Sequence, residues 1–260
     1  MVLKEGRCAA NNYTPMFMRQ GSDAMLIRGN YSADCGQQFI MRLMSNPVNH
    51  AANAFRQFWK QLGGTISGVG QAGQVQAGDE LFYTYYSPPL VDQIRSINKW
   101  SNNVMTRQLL LGLGAKALGT PGTPIKGAQA VQSFLAQSGI NTQGLRIDNG
   151  AGLSRDERVT ARQMGALLAQ VWRDPYMPEF VSSLPLLGED GTLLKRFRRQ
   201  ELRGHAHLKT GTLSDVTALS GFLLTQTGKQ LIVVIQHHGK HAASAGRAVQ
   251  DALLEWAFEQ

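Results

Sequence analysis

Two tripeptides in the chain carry the residue types of a proton relay and a peptide clamp. Lys209-Thr210-Gly211 stands within HAHLKTGTLSDVTALSG, and Ser101-Asn102-Asn103 follows Trp100. On a strand edge, Lys209 lends positive charge to a proton relay and to a substrate carboxylate. Thr210 hydrogen-bonds that carboxylate, and Gly211, with no Cβ, lets a substrate backbone lie close. Thr212 supplies a further hydroxyl. Ser101 and Asn103 lie two apart on a turn at a helix start, so both can face one cleft. Ser101 then serves as proton shuttle and Asn103 as donor to a substrate amide carbonyl. The chemistry is acyl transfer through a serine nucleophile activated by an amine. Each tripeptide alone has a plain structural alternative: a basic residue entering a strand for one, a helix N-cap for the other. Their joint occurrence, with KTG at the head of a strand near the C-terminus, favours the chemical reading.

The elements that must position these groups follow from hydrophobic periodicity. The first 35 or so residues alternate in short runs broken by turn residues and read as strands, too few to make a core alone. A helix follows, with Asn46 as N-cap, Pro47 at N1 and an apolar face of Val48, Ala52, Phe55, Trp59 and Leu62, ending at Gly63-Gly64. Thr65 to Tyr86 reads as strand-like. Its GVGQAG run (Gly68 to Gly73) matches a dinucleotide fingerprint in letters only, because no helix opens after it. A helical region runs from Val91 to about Gly114, interrupted at Lys99 to Asn103. A second helix carries Val131, Phe134 and Leu135 and stops at Gly139. A third opens on the capping box Thr160 to Gln163 and buries Met164, Leu167, Leu168 and Val171. Thr217 to Thr225 and Gln230 to Gln236 read as a hairpin joined by QTGK. A last helix packs through Ala245, Val249, Leu253 and Trp256. Helices in the middle and an antiparallel hairpin backed by a helix make an α+β domain.

At 260 residues and 43% hydrophobic, the chain can bury a sizeable core. No apolar run approaches the ~18 residues of a membrane span, and MVLKEGRC lacks the apolar region of a secretory signal. The net charge of +8 comes from scattered residues, with one dense cluster at Lys195 to Arg199. With no helix-turn-helix, RNP or zinc-finger pattern, a solvated basic surface is expected rather than a nucleic-acid partner. His237, His238 and His241 have no cysteine or carboxylate at ligand spacing, so no metal is expected, and no cofactor. Glu189 and Asp190, like Asp156 and Glu157, read as solvated loop charges. Cys8 and Cys35 would close a loop in an oxidising compartment or remain two buried thiols in a reducing one.

From about Ser87 onward the chain resembles the D-alanyl-D-alanine carboxypeptidase/endopeptidase family, the class C low-molecular-mass penicillin-binding proteins (peptidase family S13). The matching segments, in the family's order, are INKWSNNVMTRQLLLGLG, RIDNGAGLSRDERVTARQM, LPLLGEDGTLLKRF, LRGHAHLKTGTL and VTALSGFLLTQTGKQLIVVI. The resemblance implies a transpeptidase-like fold shared with β-lactamases, an antiparallel sheet flanked by helices in three layers. Residues 1–86 would be the tail of an inserted β-rich region with its connecting segments, and 87–260 the C-terminal part of the peptidase domain. It implies substrate-binding roles for Thr210, Gly211, Thr212 and Arg155, the last at the end of NGAGLSR. It also implies a Cys8–Cys35 disulfide and a periplasmic location, with peptidoglycan stem peptides and β-lactams as partners.

The resemblance further calls for Ser-x-x-Lys, whose serine is acylated and whose lysine is its base. In relatives this motif lies far upstream of SNN, and the sequence is expected to begin beyond it, leaving the motif to an N-terminal segment. Ser96 to Lys99 fits the letters but ends two residues before Ser101, so one short segment would have to form both walls of the cleft. Thr123 to Lys126 fits less well. Two functional expectations therefore stand side by side: a serine-type D-Ala-D-Ala peptidase acting through an acyl-enzyme, or a catalytically incomplete fragment that only binds cell-wall peptides.

Overall fold

The structure is a computed structural model describing residues 1–21, 24–38, 46–197 and 200–260. The chain divides into two compact units, 1–84 and 85–260.

Among the described residues the first unit holds four short strands and one α-helix. β1 (Val2–Lys4) pairs in parallel with β4 (Asn30–Ser32), and β2 (Met16–Gln20) pairs antiparallel with β3 (Ala24–Arg28). Ser32 caps a single 3-10 turn, Ala33–Cys35, and a disulfide joins Cys35 to Cys8. With so little core, this covalent tie contributes by restricting the unfolded chain. Helix α1 (Pro47–Gln61) starts where its signals place it: the Asn46 side chain accepts from the Val48 N–H at 2.9 Å, ahead of Pro47 at the first position. Its expected core face is not buried, since Phe55, Trp59 and Leu62 are exposed. The strands expected between Thr65 and Tyr86 are absent: these residues form neither strand nor helix, and Leu81, Phe82 and Tyr83 lie open. Their β-forming composition finds no partner strand among the described residues, and pairing is what makes a strand.

The second unit has three layers. Its sheet has the order β5-β6-β7, all antiparallel, from β5 (Ala206–Thr212), β6 (Val216–Leu224) and β7 (Gln230–His238). One face packs against the C-terminal helix α7 (Ala242–Phe258), where Leu208, Leu219, Leu223, Leu254 and Phe258 share a core. The opposite face places Phe222 against Leu168 of α5 (Ala161–Trp172) and Leu184 after α6 (Met177–Ser183). The capping box forms, with Thr160 Oγ1 accepting from Gln163 N–H and Gln163 Oε1 accepting from Thr160 N–H. Helices α2 (Leu90–Trp100), α3 (Asn103–Leu118) and α4 (Pro124–Gln137) complete the unit. This arrangement is the α+β fold expected from the chain's pattern.

Helix α7 corrects one expectation. Val249, Leu253 and Trp256 are exposed, and the buried stripe is Ala242, Gly246, Gln250, Leu254 and Phe258. Close approach decides this: a Cβ on Gly246 would stand 2.4 Å from Thr217 Cγ2, so glycine lets the helix axis come down onto β6. Gln250 is tolerated beneath it because its amide bonds Arg196 and Thr217. The basic cluster is corrected by the same contacts. Arg196 is 8% exposed and ion-paired with Asp251, so it is not part of a solvated patch; Arg198 and Arg199 lie outside the described residues. Among the described residues no helix is long and apolar enough to cross a membrane.

Candidate active site

Helix α2 ends at Ser101 because that residue turns left-handed, with φ 52° and ψ 50°. A non-glycine residue there costs about 1 kcal/mol or more and persists only where its surroundings hold it. The N–H groups of Ser101 and Asn102 both return to Ile97 O, closing α2 in a Schellman-like cap. Asn102 then caps α3, its side chain accepting from Met105 N–H at 3.1 Å. Asn103 is the first residue of α3, and its amide makes no hydrogen bond to any described residue. The plain reading of SNN as an N-cap is met by Asn102 alone, and the side chains of Ser101 and Asn103 take no part in that cap.

Lys209 lies on β5, opposite Ser220 in the register. Its Nζ donates to Ser101 Oγ and, at 3.0 Å, to Thr210 O. The two tripeptides, 108 residues apart in sequence, therefore meet in space. An ammonium can only donate, so Ser101 Oγ is held as acceptor and its own proton remains for another partner. No described carboxylate pairs with Lys209, and burial pushes its ammonium below the ordinary lysine value. That makes Lys209 a better acid than a surface lysine.

The outer edge of β5 is covered along half its length. Leu187 N–H donates to Ala206 O and Leu208 N–H to Pro185 O, both at 2.9 Å. Strand alternation turns the backbone groups of Thr210 and Thr212 toward the same outer side, where no described segment pairs with them. An extended peptide could add there as a further strand. Gly211 is exposed, and a Cβ on it would meet only Ala218 Cβ at 3.6 Å, an ordinary contact. Nothing inside the fold demands a glycine at 211, so space outside it is what the missing side chain leaves open. Thr212, also exposed, ends the strand.

Arg155 reaches the far end of this edge. Its guanidinium pairs with Asp215 and donates to Ser214 Oγ at 2.8 Å, both on the turn between β5 and β6. The Arg155 pair, with burial opposing, holds the Asp215 carboxyl below its ordinary value. Arg155 thus sits beside the candidate cleft already bonded to the protein's own turn. The loop that carries it is closed by paired backbone bonds between Arg146 and Arg158, with Glu157 accepting from Asn149 and Gly150 N–H.

Sequence reasoning missed the groups beside this site and misread three carboxylates as merely solvated loop charges, Glu157 with its two backbone bonds being one. Asp190 is not a merely solvated charge: it pairs with Lys99 Nζ at 2.6 Å and accepts from Leu186 N–H at 2.7 Å. Glu189 pairs with Arg203 at 2.7 Å. Lys99 is therefore engaged away from Ser96, which is exposed on α2. Thr192, in a 3-10 turn Gly191–Leu193, lies 3.1 Å from Thr210 Oγ1 through its own hydroxyl. His207, two residues before Lys209 on the same face, is held below the ordinary histidine value mainly by burial. The signal for Lys99 and Asp190 was their position, one beside each motif segment, rather than any spacing between them.

A sheet sandwiched by helices is the fold that the chain shares with solved penicillin-binding proteins. The chain superposes on penicillin binding protein 4 (dacB) from Haemophilus influenzae with a TM-score of 0.75, covering 100% of this chain and 60% of that one at 20% identity. The same protein complexed with a β-lactam gives 0.73, covering 95% and 59% at 21% identity. Residues 3–260 match the D-Ala-D-Ala carboxypeptidase 3 (S13) family, and the chain belongs to it. Similar proteins include the D-alanyl-D-alanine carboxypeptidase of Actinomadura sp. (strain R39), 32% identical over 241 residues, and carboxypeptidase DacB of Mycolicibacterium smegmatis, 31% identical over 173. The matches cover 90% and 64% of this chain, and the chain spans 44% and 37% of the length of those relatives.

Proposed function

We propose that this chain carries the proton-relay and substrate-binding side of a serine-type D-Ala-D-Ala peptidase acting on peptidoglycan stem peptides. The observation that carries the reading is the bond from Lys209 Nζ to Ser101 Oγ beside the open edge of Thr210 to Thr212. A stem peptide would add along that edge, with Asn103 donating to its amide carbonyl and its terminal carboxylate drawn by the Lys209 charge and the threonine hydroxyls. The nucleophile, the serine of a Ser-x-x-Lys segment in the family, adds to the carbonyl carbon of the penultimate D-Ala. The C–N bond to the terminal D-Ala breaks, its nitrogen takes a proton through Ser101 and Lys209, and water later cleaves the ester. A β-lactam would enter the same path and stop at the acyl stage. The Cys8–Cys35 disulfide suits an oxidising compartment such as the periplasm.

A narrower reading, a fragment that binds cell-wall peptides without cleaving them, is favoured by one observation: Lys99 of the only Ser-x-x-Lys match is paired with Asp190, not with Ser96. Labelling the purified chain with a fluorescent penicillin, with mass spectrometry to locate any adduct, tests both. No adduct on this chain, and labelling of a longer protein that includes Ser-x-x-Lys, is expected. An adduct on Ser96 or Ser101 would place the nucleophile here and overturn the assignment of Ser101 as shuttle. Failure of the longer protein to label would overturn the peptidase reading.

A further inference from the structure

Lys209 and Ser101 belong to a closed ring of contacts. From Ser101 the chain runs back two residues to Lys99, whose ammonium pairs with Asp190 at 2.6 Å. From Asp190 it runs forward two residues to Thr192, whose hydroxyl lies 3.1 Å from that of Thr210. Thr210 adjoins Lys209, whose Nζ returns to Ser101 Oγ. The two arms, 99–101 and 190–192, approach closely at Gly191 as well: a Cβ there would stand 2.5 Å from Lys99 O, a separation only glycine permits, and its φ of 54° suits glycine too. Neither arm is free elsewhere. Asn98 Nδ2 donates to Ser183 Oγ at 2.8 Å, fixing α2 to α6, and Asp190 also accepts from Leu186 N–H. Leu186 itself bridges His207 on β5.

We propose that Asp190, acting through Lys99 and together with Thr192, is a positioning residue that sets the separation and orientation of Ser101 against Lys209. The inference rests on the peptidase reading only for its purpose; the positioning itself is a property of the folded chain. The physical reason is that Ser101 sits in a left-handed conformation that the α2 cap requires but a residue with a Cβ disfavours, so ties to the neighbouring Lys99 help hold its hydroxyl on Lys209. Lys99, with a side chain 13% exposed, supplies that tie from its shielded end, while the Asp190 side chain is 44% exposed.

The test reads Lys209 directly, without substrate. The chain is prepared with carbon-13 at the lysine ε-methylene, and Lys209 is assigned by the resonance lost in K209M. Its titration is then compared in wild type, D190N, D190E, T192V and R203A. D190N keeps an oxygen for Leu186 N–H and removes the ion pair; T192V removes one hydroxyl; R203A breaks the neighbouring Arg203–Glu189 pair, which makes no hydrogen bond to Lys99, Ser101, Thr192, Thr210 or Lys209. Loosening the turn admits water to Lys209, so its titration in D190N should move up toward the ordinary lysine value by about half a unit or more. D190E should restore most of it, T192V should move in the same direction, and R203A should leave it in place whatever it does to the melting temperature. K99M combined with D190N should shift Lys209 no further than D190N alone. An unchanged titration in D190N, or an equal shift in R203A, would overturn the proposal. If D190N does not fold, T192V alone decides: an unchanged Lys209 titration there overturns it equally. Penicillin labelling on the same samples bears on the peptidase reading alone, so the two can fail separately.

Discussion

The two halves of β5 obey different rules although they are one strand. Ala206 and Leu208 are fully buried, and their outer edge is bonded to Leu187 and Pro185. Lys209 to Thr212 carry a charge, two hydroxyls and a glycine, with the outer edge bare. The first half is built for stability and the second leaves polar groups unpaired, which costs stability unless something binds. The boundary falls at Pro185, where the segment leaving α6 first joins the strand, opposite Leu208. A cleft is made here by ending the coverage of an edge, not by carving a cavity into a core.

Leu208→Ala should break the first half. The residue is fully buried between β5 and α7, so the deletion leaves a cavity and costs about 2–5 kcal/mol, read as a lowered urea midpoint. The same truncation aimed at the second half should do the reverse. Lys209→Met fills similar volume and removes a buried ammonium with no carboxylate partner, so stability should rise by about 1 kcal/mol while binding of a D-Ala-D-Ala peptide is lost. The pH dependence follows from the lowered pKa. The unfolded chain holds the Lys209 proton more tightly than the folded one, so wild-type stability gains as pH rises from the folded pKa toward the ordinary value of 10.5. The midpoint difference between wild type and Lys209→Met should therefore shrink across that window. A difference constant with pH would mean that Lys209 is not held in a desolvated site.

These contrasts mark what was legible in the sequence. KTG and SNN stood out because each is a short run of residue types with a joint chemical reading, and the helices α1, α4 and α5 because their caps and breakers are local. The contact between Lys209 and Ser101 was implied only by chemistry, since nothing in the spacing of residues so far apart fixes it. Asp190 was misread because a carboxylate beside a glycine looks solvated until its distant partner is known. Helix α7 was misread for a different reason. It has two apolar stripes, and periodicity cannot tell which one meets the sheet; the small side of Gly246 decided it through close approach. The run from Thr65 to Tyr86 has strand composition, but composition is not pairing. Short α6, at seven residues, is below the length at which a period shows.

Gly211→Ala sharpens the comparison at smaller cost. With ordinary contact at 3.6 Å, the folded chain should accept the methyl group within about 0.5 kcal/mol, yet peptide binding should weaken because the methyl stands where a backbone must approach. Gly221, one strand over, is its opposite: a Cβ there would meet His207 O at 2.1 Å, so Gly221→Ala should unfold or strongly destabilise the chain. Equal effects at the two glycines would erase the distinction between a packed and an open half of β5.

Arg155→Ala should have the smallest effect on folding, because the guanidinium and its Asp215 partner are largely in water. It still has a signature. Arg155 is the main cause of the lowered Asp215 pKa, and a carboxyl whose folded pKa is depressed contributes stability above its ordinary value that is lost as pH falls through the folded one. Arg155→Ala should flatten that acid limb, and the two proteins should converge only once the pH lies below the folded Asp215 pKa, where the carboxyl is protonated in both. If substrate carboxylate competes with Asp215 for the guanidinium, the variant should also weaken peptide binding less than Lys209→Met does. A binding loss as large as that of Lys209→Met would instead make Arg155, rather than the lysine on the open edge, the principal carboxylate anchor.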